Sequence, residues 1–192
     1  MTDLEAQLTR ITADLVPLAI AWHLVLPFAW RRASPFVLSM FAVSVAIVAW
    51  AYGNPFNAVS FATLAAILVA SRPRSRAEPR GLTVTIGAAL VGFGALYPHF
   101  VAGPAYRLLW AAPLGLVPCP TLAVLGGLAI ATGALGSRRS AYSLAAWTAF
   151  YGLVGVFHLG VSIDLVLIVA ALAVAISAAL PRHPITPWRT LT

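Results

Sequence analysis

The chain has no lysine, one cysteine and five acidic residues among 192. Each scarcity excludes something. Without lysine, a retinal Schiff base has no attachment point. The single cysteine, Cys119, rules out a disulfide within the chain and any site built from several thiolates. Charged residues make up 9% of the chain, against about 25% in an average soluble domain. Hydrophobic residues make up 61%, more than a soluble domain of this length could hide. Large exposed apolar patches aggregate, or meet a membrane or a partner. An ordinary soluble domain, a disordered chain and a nucleic-acid binder are therefore excluded. No phosphate-binding glycine loop, Ser/His/Asp order or HExxH string is present. What remains is an all-α, polytopic membrane protein forming a single integral domain.

Membrane-crossing helices need about 20 apolar residues. Uncharged runs closed by arginines or turn residues predict seven spans: 14–30, 35–52, 56–71, 81–97, 120–135, 141–157 and 163–180. The first is short and holds Pro17 and Pro27, so six spans remain if it lies in the interface. The uncharged run from Leu108 to Ser137 is too long for one upright helix. Pro113, Pro118 and Pro120 interrupt its first half, and proline removes a helical hydrogen bond. Residues 108–117 are thus expected to form a re-entrant or interfacial segment. Leu4, Leu8 and Ile11 recur at helical spacing and predict a short amphipathic helix before the first span.

All twelve cations are arginine. With the N-terminus outside, Arg31, Arg32, Arg72, Arg74, Arg76, Arg80, Arg138, Arg139, Arg182 and Arg189 share the cytoplasmic side, and only Arg10 and Arg107 do not. That sorting is the positive-inside pattern. The chain is thus expected in a plasma (inner) membrane, with the lipid bilayer, and anionic lipid at the arginine clusters, as its partners. Glycines in the fourth to sixth spans (among them Gly92, Gly94, Gly126 and Gly127) suit close helix packing, within the chain or with other subunits or a second copy. Asn57 and Asp164 fall at the same offset in two three-span halves, a pattern consistent with a parallel repeat. Trp30, Trp50, Tyr52, Tyr97, Trp110, Tyr142 and Trp188 read as an interfacial aromatic belt.

Ionisable residues inside spans are functional candidates. Tyr97, His99, Cys119, His158 and Asp164 all fall at predicted outer ends, and His23 lies ~13 Å into the first span at 1.5 Å per residue. Cys119, between Pro118 and Pro120, would sit near a helix N-terminus, where the dipole favours thiolate. Asp164 would either cap its helix, with Ser162 as rival, or pair with His158 to carry a proton or a cation. Cys119, His99, His158 and Asp164 are the right types for zinc or copper, although their spacing is no metal motif. His23 has no second histidine at matching depth for a haem, and no cofactor is indicated.

Tyr97-Pro98, Gly115-Leu116-Val117-Pro118-Cys119-Pro120-Thr121, Gly126-Gly127-Leu128 and Gly160-Val161-Ser162-Ile163-Asp164 together resemble a family of small bacterial multi-span membrane proteins, a domain of unknown function. The resemblance covers about residues 81–180 and implies an integral membrane protein without implying an activity. The leading expectation is binding or transport of a small solute or ion through an outer-side polar vestibule. In it Asp164 supplies charge, His158, His99, Tyr97 and His23 supply polar contacts, and Cys119 supplies a thiol. An accessory subunit of a larger membrane complex is the alternative, and a membrane thiol-redox protein or enzyme a third reading.

Overall fold

The computed structural model describes residues 3–71, 81–135 and 137–180. The arginine loop 72–80 and the tail from Pro181, with Trp188, lie outside them. All regular structure among the described residues is helical, with no strand among them. In chain order the helices are α1 (Asp3–Asp14), α2 (Val16–Arg31), α3 (Pro35–Ala51), α4 (Pro55–Val69), α5 (Gly81–Ala95), α6 (Leu108–Ala111), α7 (Pro118–Thr132), α8 (Arg138–Leu153) and α9 (Leu165–Ala179).

Local chemistry sets the boundaries. Ser34, Asn54 and Ser137 cap α3, α4 and α8, each side-chain oxygen accepting a backbone N–H three residues on. Proline follows the cap in α3 and α4, where its fixed φ suits the first turn. The same preference starts α7 at Pro118, two residues earlier than expected. Gly133 then ends α7 in the left-handed conformation, at φ 63°.

α7 is the centre of the bundle. Residues 111–131 are buried without a break, so the expected re-entrant segment is mostly interior. It consists of a 3-10 turn (Ala105–Arg107), α6 and a tight turn into α7. α5 lies directly against α7 through backbone contact. A Cβ on Gly87 would stand 2.5 Å from the Gly127 carbonyl oxygen, and one on Gly94 2.5 Å from that of Pro120. Both contacts recur after seven residues, two helical turns, so the pair is an antiparallel small-residue seam. α3 with α4 and α8 with α9 pack as hairpins around this axis. Trp147 Nε1 donates to the Ser60 carbonyl at 3.1 Å and joins α8 to α4.

The outward faces are apolar too. On α9, Leu165, Val169, Leu172 and Ile176 are exposed while Leu167, Ala170, Ala171, Val174 and Ala178 are buried. α3 exposes Phe36, Met40, Val43, Ile47 and Trp50 in the same way. Length is more restrictive than the sequence suggested. Among the described residues, Arg138–His158 and Ser162–Ala179 are long and apolar enough to cross a membrane. α1 and α2 add a third only if counted as one span bent by 74°. The helices Pro35–Ala51, Pro55–Val69, Gly81–Ala95 and Pro118–Thr132 are apolar but shorter. Seven helices of spanning length are thus not found among the described residues.

Candidate functional site

Three side chains far apart in sequence meet at one end of the bundle. Asp164 closes a 3-10 turn, Ser162–Asp164, just before α9. Its Oδ1 accepts a hydrogen bond from the Tyr97 hydroxyl at 2.6 Å, and its Oδ2 one from the Cys119 thiol at 3.1 Å. Asp164 and Tyr97 have no exposed surface, and Cys119 is 5% exposed. Tyr97 reaches the site because the chain leaves α5 just before Pro98. Cys119 reaches it as the second residue of α7.

α8 supplies the wall. Its last turn widens into a π turn, Val154–His158, a local form often found at functional sites. The Val161 N–H donates to the Gly155 carbonyl at 2.8 Å and draws the Asp164 turn inward. Any Cβ at position 155 would collide with the Asp164 carboxylate. Glycine is therefore needed there for close approach.

A carboxylate taken out of water costs several kcal/mol unless other groups solvate it. Here two donors do so, and no arginine or histidine forms an ion pair with Asp164 among the described residues. A thiolate 3.1 Å from a buried carboxylate would set two anions side by side, so this geometry suits the neutral thiol as donor. The thiol polarised toward thiolate, expected from the helix end, gives way to a buried donor. Asp164 precedes α9 without capping it through its side chain. Tyr97 is a core residue rather than part of an aromatic belt.

The histidines do not join the cluster. His158 is exposed on the π turn, and no hydrogen bond or ion pair joins it to Asp164 among the described residues. His99 Nε2 stands 3.7 Å from Glu5 Oε1, under α1, with its ring edge-on to Phe100. His23 places Nδ1 2.8 Å from the Ala19 carbonyl and Nε2 2.8 Å from that of Ala95, tying α2 to the end of α5. Among the described residues no three His, Cys, Asp or Glu side chains converge as a metal site would require.

A cavity of about 240 Å³ adjoins the cluster. Cys119 and Gly155, which both adjoin Asp164, line it together with Leu4 and Leu8 of α1. A second buried pair, Asn57 and Tyr151, also lines the cavity. The Tyr151 hydroxyl donates to Asn57 Oδ1 at 2.8 Å, across 94 residues of sequence. No local pattern marks that pairing, although a buried asparagine in an apolar run is itself a signal. Apart from Asn54, Asn57, Tyr151 and the thiol, the lining is apolar, unlike the polar vestibule expected.

Fold and site together define a helical bundle with a buried carboxylate cluster beside an apolar cavity. No protein-family model, curated protein or solved structure matches the chain.

Proposed function

We propose that the chain is an integral membrane protein that binds a small solute in the cavity beside Asp164 and serves its transport. One observation carries the reading: a carboxylate with no exposed surface, satisfied among the described residues by a tyrosine and a thiol, stands behind the wall of a cavity. Ionisable groups inside apolar bundles are costly, and where they persist they mark solute or proton paths.

The membrane setting is supported by the apolar exterior of α3 and α9 and by the placing of charge. Arg31, Arg32, Arg138 and Arg139 stand at the opposite end of the bundle from Asp164. By the positive-inside rule the cavity then faces outward from a bacterial plasma membrane. The four short helices have 15–17 residues and cover ~22–26 Å at 1.5 Å per residue. The remaining mismatch with a ~30 Å hydrocarbon core is met by local thinning of the bilayer. On this reading they complete a seven-span bundle, in keeping with the resemblance to small multi-span membrane proteins.

Native mass spectrometry of the gently purified protein tests the proposal. A small molecule should remain bound to the wild type and be lost from Leu8→Trp, which fills the cavity from α1. Retention of no small molecule, or equal retention by the variant, would overturn it. Recovery of a stoichiometric membrane protein in place of a small molecule would instead favour an accessory subunit.

A further inference from the structure

We infer that the cavity takes a small neutral molecule, mainly apolar, carrying one carbonyl or hydroxyl oxygen, and that the amide nitrogen of Asn57 reads that oxygen. The inference rests on the cavity being the solute site and goes on to name the class of solute.

Charge is excluded by the lining. No arginine, histidine, aspartate or glutamate borders the cavity among the described residues. A charged ligand would give up its water with nothing to replace it. Asp164 is close, but Gly155 and Cys119 stand between, and both its oxygens already accept hydrogen bonds. Phe56, Phe100 and Phe150 offer apolar surface for the body of the ligand.

The polar handle is Asn57. Its side-chain oxygen is held by the Tyr151 hydroxyl at 2.8 Å, which makes Tyr151 a positioning residue. Its amide nitrogen has no hydrogen-bond partner among the described residues. Asn57 is only 7% exposed, yet no fully enclosed side-chain nitrogen or oxygen among the described residues lacks a partner. The unpaired NH₂ must therefore border open space, and the cavity is the space that Asn57 lines. An NH₂ donates and cannot accept, so the ligand must offer an acceptor oxygen.

Size sets the body. A cavity of about 150 Å³ lined by leucine, isoleucine and phenylalanine binds benzene. At about 240 Å³, this one accommodates a single ring with a short substituent, or an aliphatic body of that bulk.

The test measures thermal unfolding of the full chain in detergent with three probes at matched free concentration: acetophenone, ethylbenzene and benzylammonium. A ligand that binds only the folded state raises the midpoint. Acetophenone should raise it and bind about fivefold tighter than ethylbenzene, the worth of one hydrogen bond. Benzylammonium should not raise it. Asn57→Leu should erase the preference for acetophenone while both neutral probes still bind. Leu8→Trp should abolish every shift; if it does not fold, Val154→Phe fills the cavity from the π turn. Ethylbenzene or benzylammonium binding as tightly as acetophenone, with loss in Leu8→Trp, would overturn the ligand class and leave the cavity as the solute site. No shift with any probe, or shifts that survive the filled cavity, would overturn both.

Discussion

Replacing Gly155 by alanine tests the packing behind the Asp164 cluster. The added Cβ would overlap Asp164 Oδ2, and would stand 2.7 Å from Cγ and 2.8 Å from Cβ of the same residue. The aspartate cannot easily swing aside, because Tyr97 holds its other oxygen at 2.6 Å and no part of it is exposed. Overpacking of this kind costs about 1–3 kcal/mol. Losing the Cys119 hydrogen bond adds about 1–2 kcal/mol, and better helix propensity returns less than about 1 kcal/mol. A net loss of about 3 kcal/mol corresponds to roughly 6–12 °C in a chain of this length. Cys119 is the only thiol and is buried, so a fluorophore that brightens on thiol attachment reports the opening of this very site. Gly92→Ala is the control, since nothing lies within 4 Å of its added Cβ. A midpoint for Gly155→Ala within 2 °C of the control, on the order of 0.5 kcal/mol, would refute the packing argument.

Tyr97→Phe should cost about 1.5–3 kcal/mol by leaving a buried carboxylate oxygen without its donor. In a double-mutant cycle with Asp164→Leu the two losses should be strongly non-additive, and simple additivity would mean that the pair is not coupled. On α7, Gly127→Ala should destabilise by about 1–3 kcal/mol, because its Cβ meets the Gly87 carbonyl oxygen at 2.5 Å. Gly126→Ala, one residue away, meets only Val174 Cγ2 at 3.5 Å and should be neutral or slightly stabilising; equal effects at the two positions in thermal unfolding would dismiss the seam. In a Cys119→Ala background, an impermeant thiol reagent applied to intact cells should label Ser162→Cys and spare Arg139→Cys. The reverse pattern would invert the proposed topology.

Helix positions were legible because arginines and Gly/Pro/Asn turns bound the apolar runs. α3 and α4 end within two residues of their expected limits. The amphipathic stretch before the first apolar run is α1, which breaks from α2 at Leu15. Function-bearing types were legible too, since Tyr97, Cys119 and Asp164 all stand at helix ends on one side of the bundle. Which of them would touch was not. That depends on the Gly87–Gly127 and Gly94–Pro120 contacts, which set α5 on α7, and on the π turn, which brings Gly155 to Asp164. The same turn leaves His158 exposed, although it is only six residues from Asp164. Asn57 and Tyr151 pair across the bundle, and no spacing rule links positions 94 residues apart. Differences at the helix ends have a simple cause. Hydropathy runs through a capping residue or a terminal turn, whereas helical hydrogen bonding does not.

The most direct test of the central claim is a structure of the protein determined in a lipid nanodisc. The account predicts a membrane-embedded bundle, Asp164 held by Tyr97 and Cys119, and non-protein density in the cavity against the Asn57 amide. A collapsed cavity, with Asp164 turned out to solvent or to lipid headgroups, would contradict it.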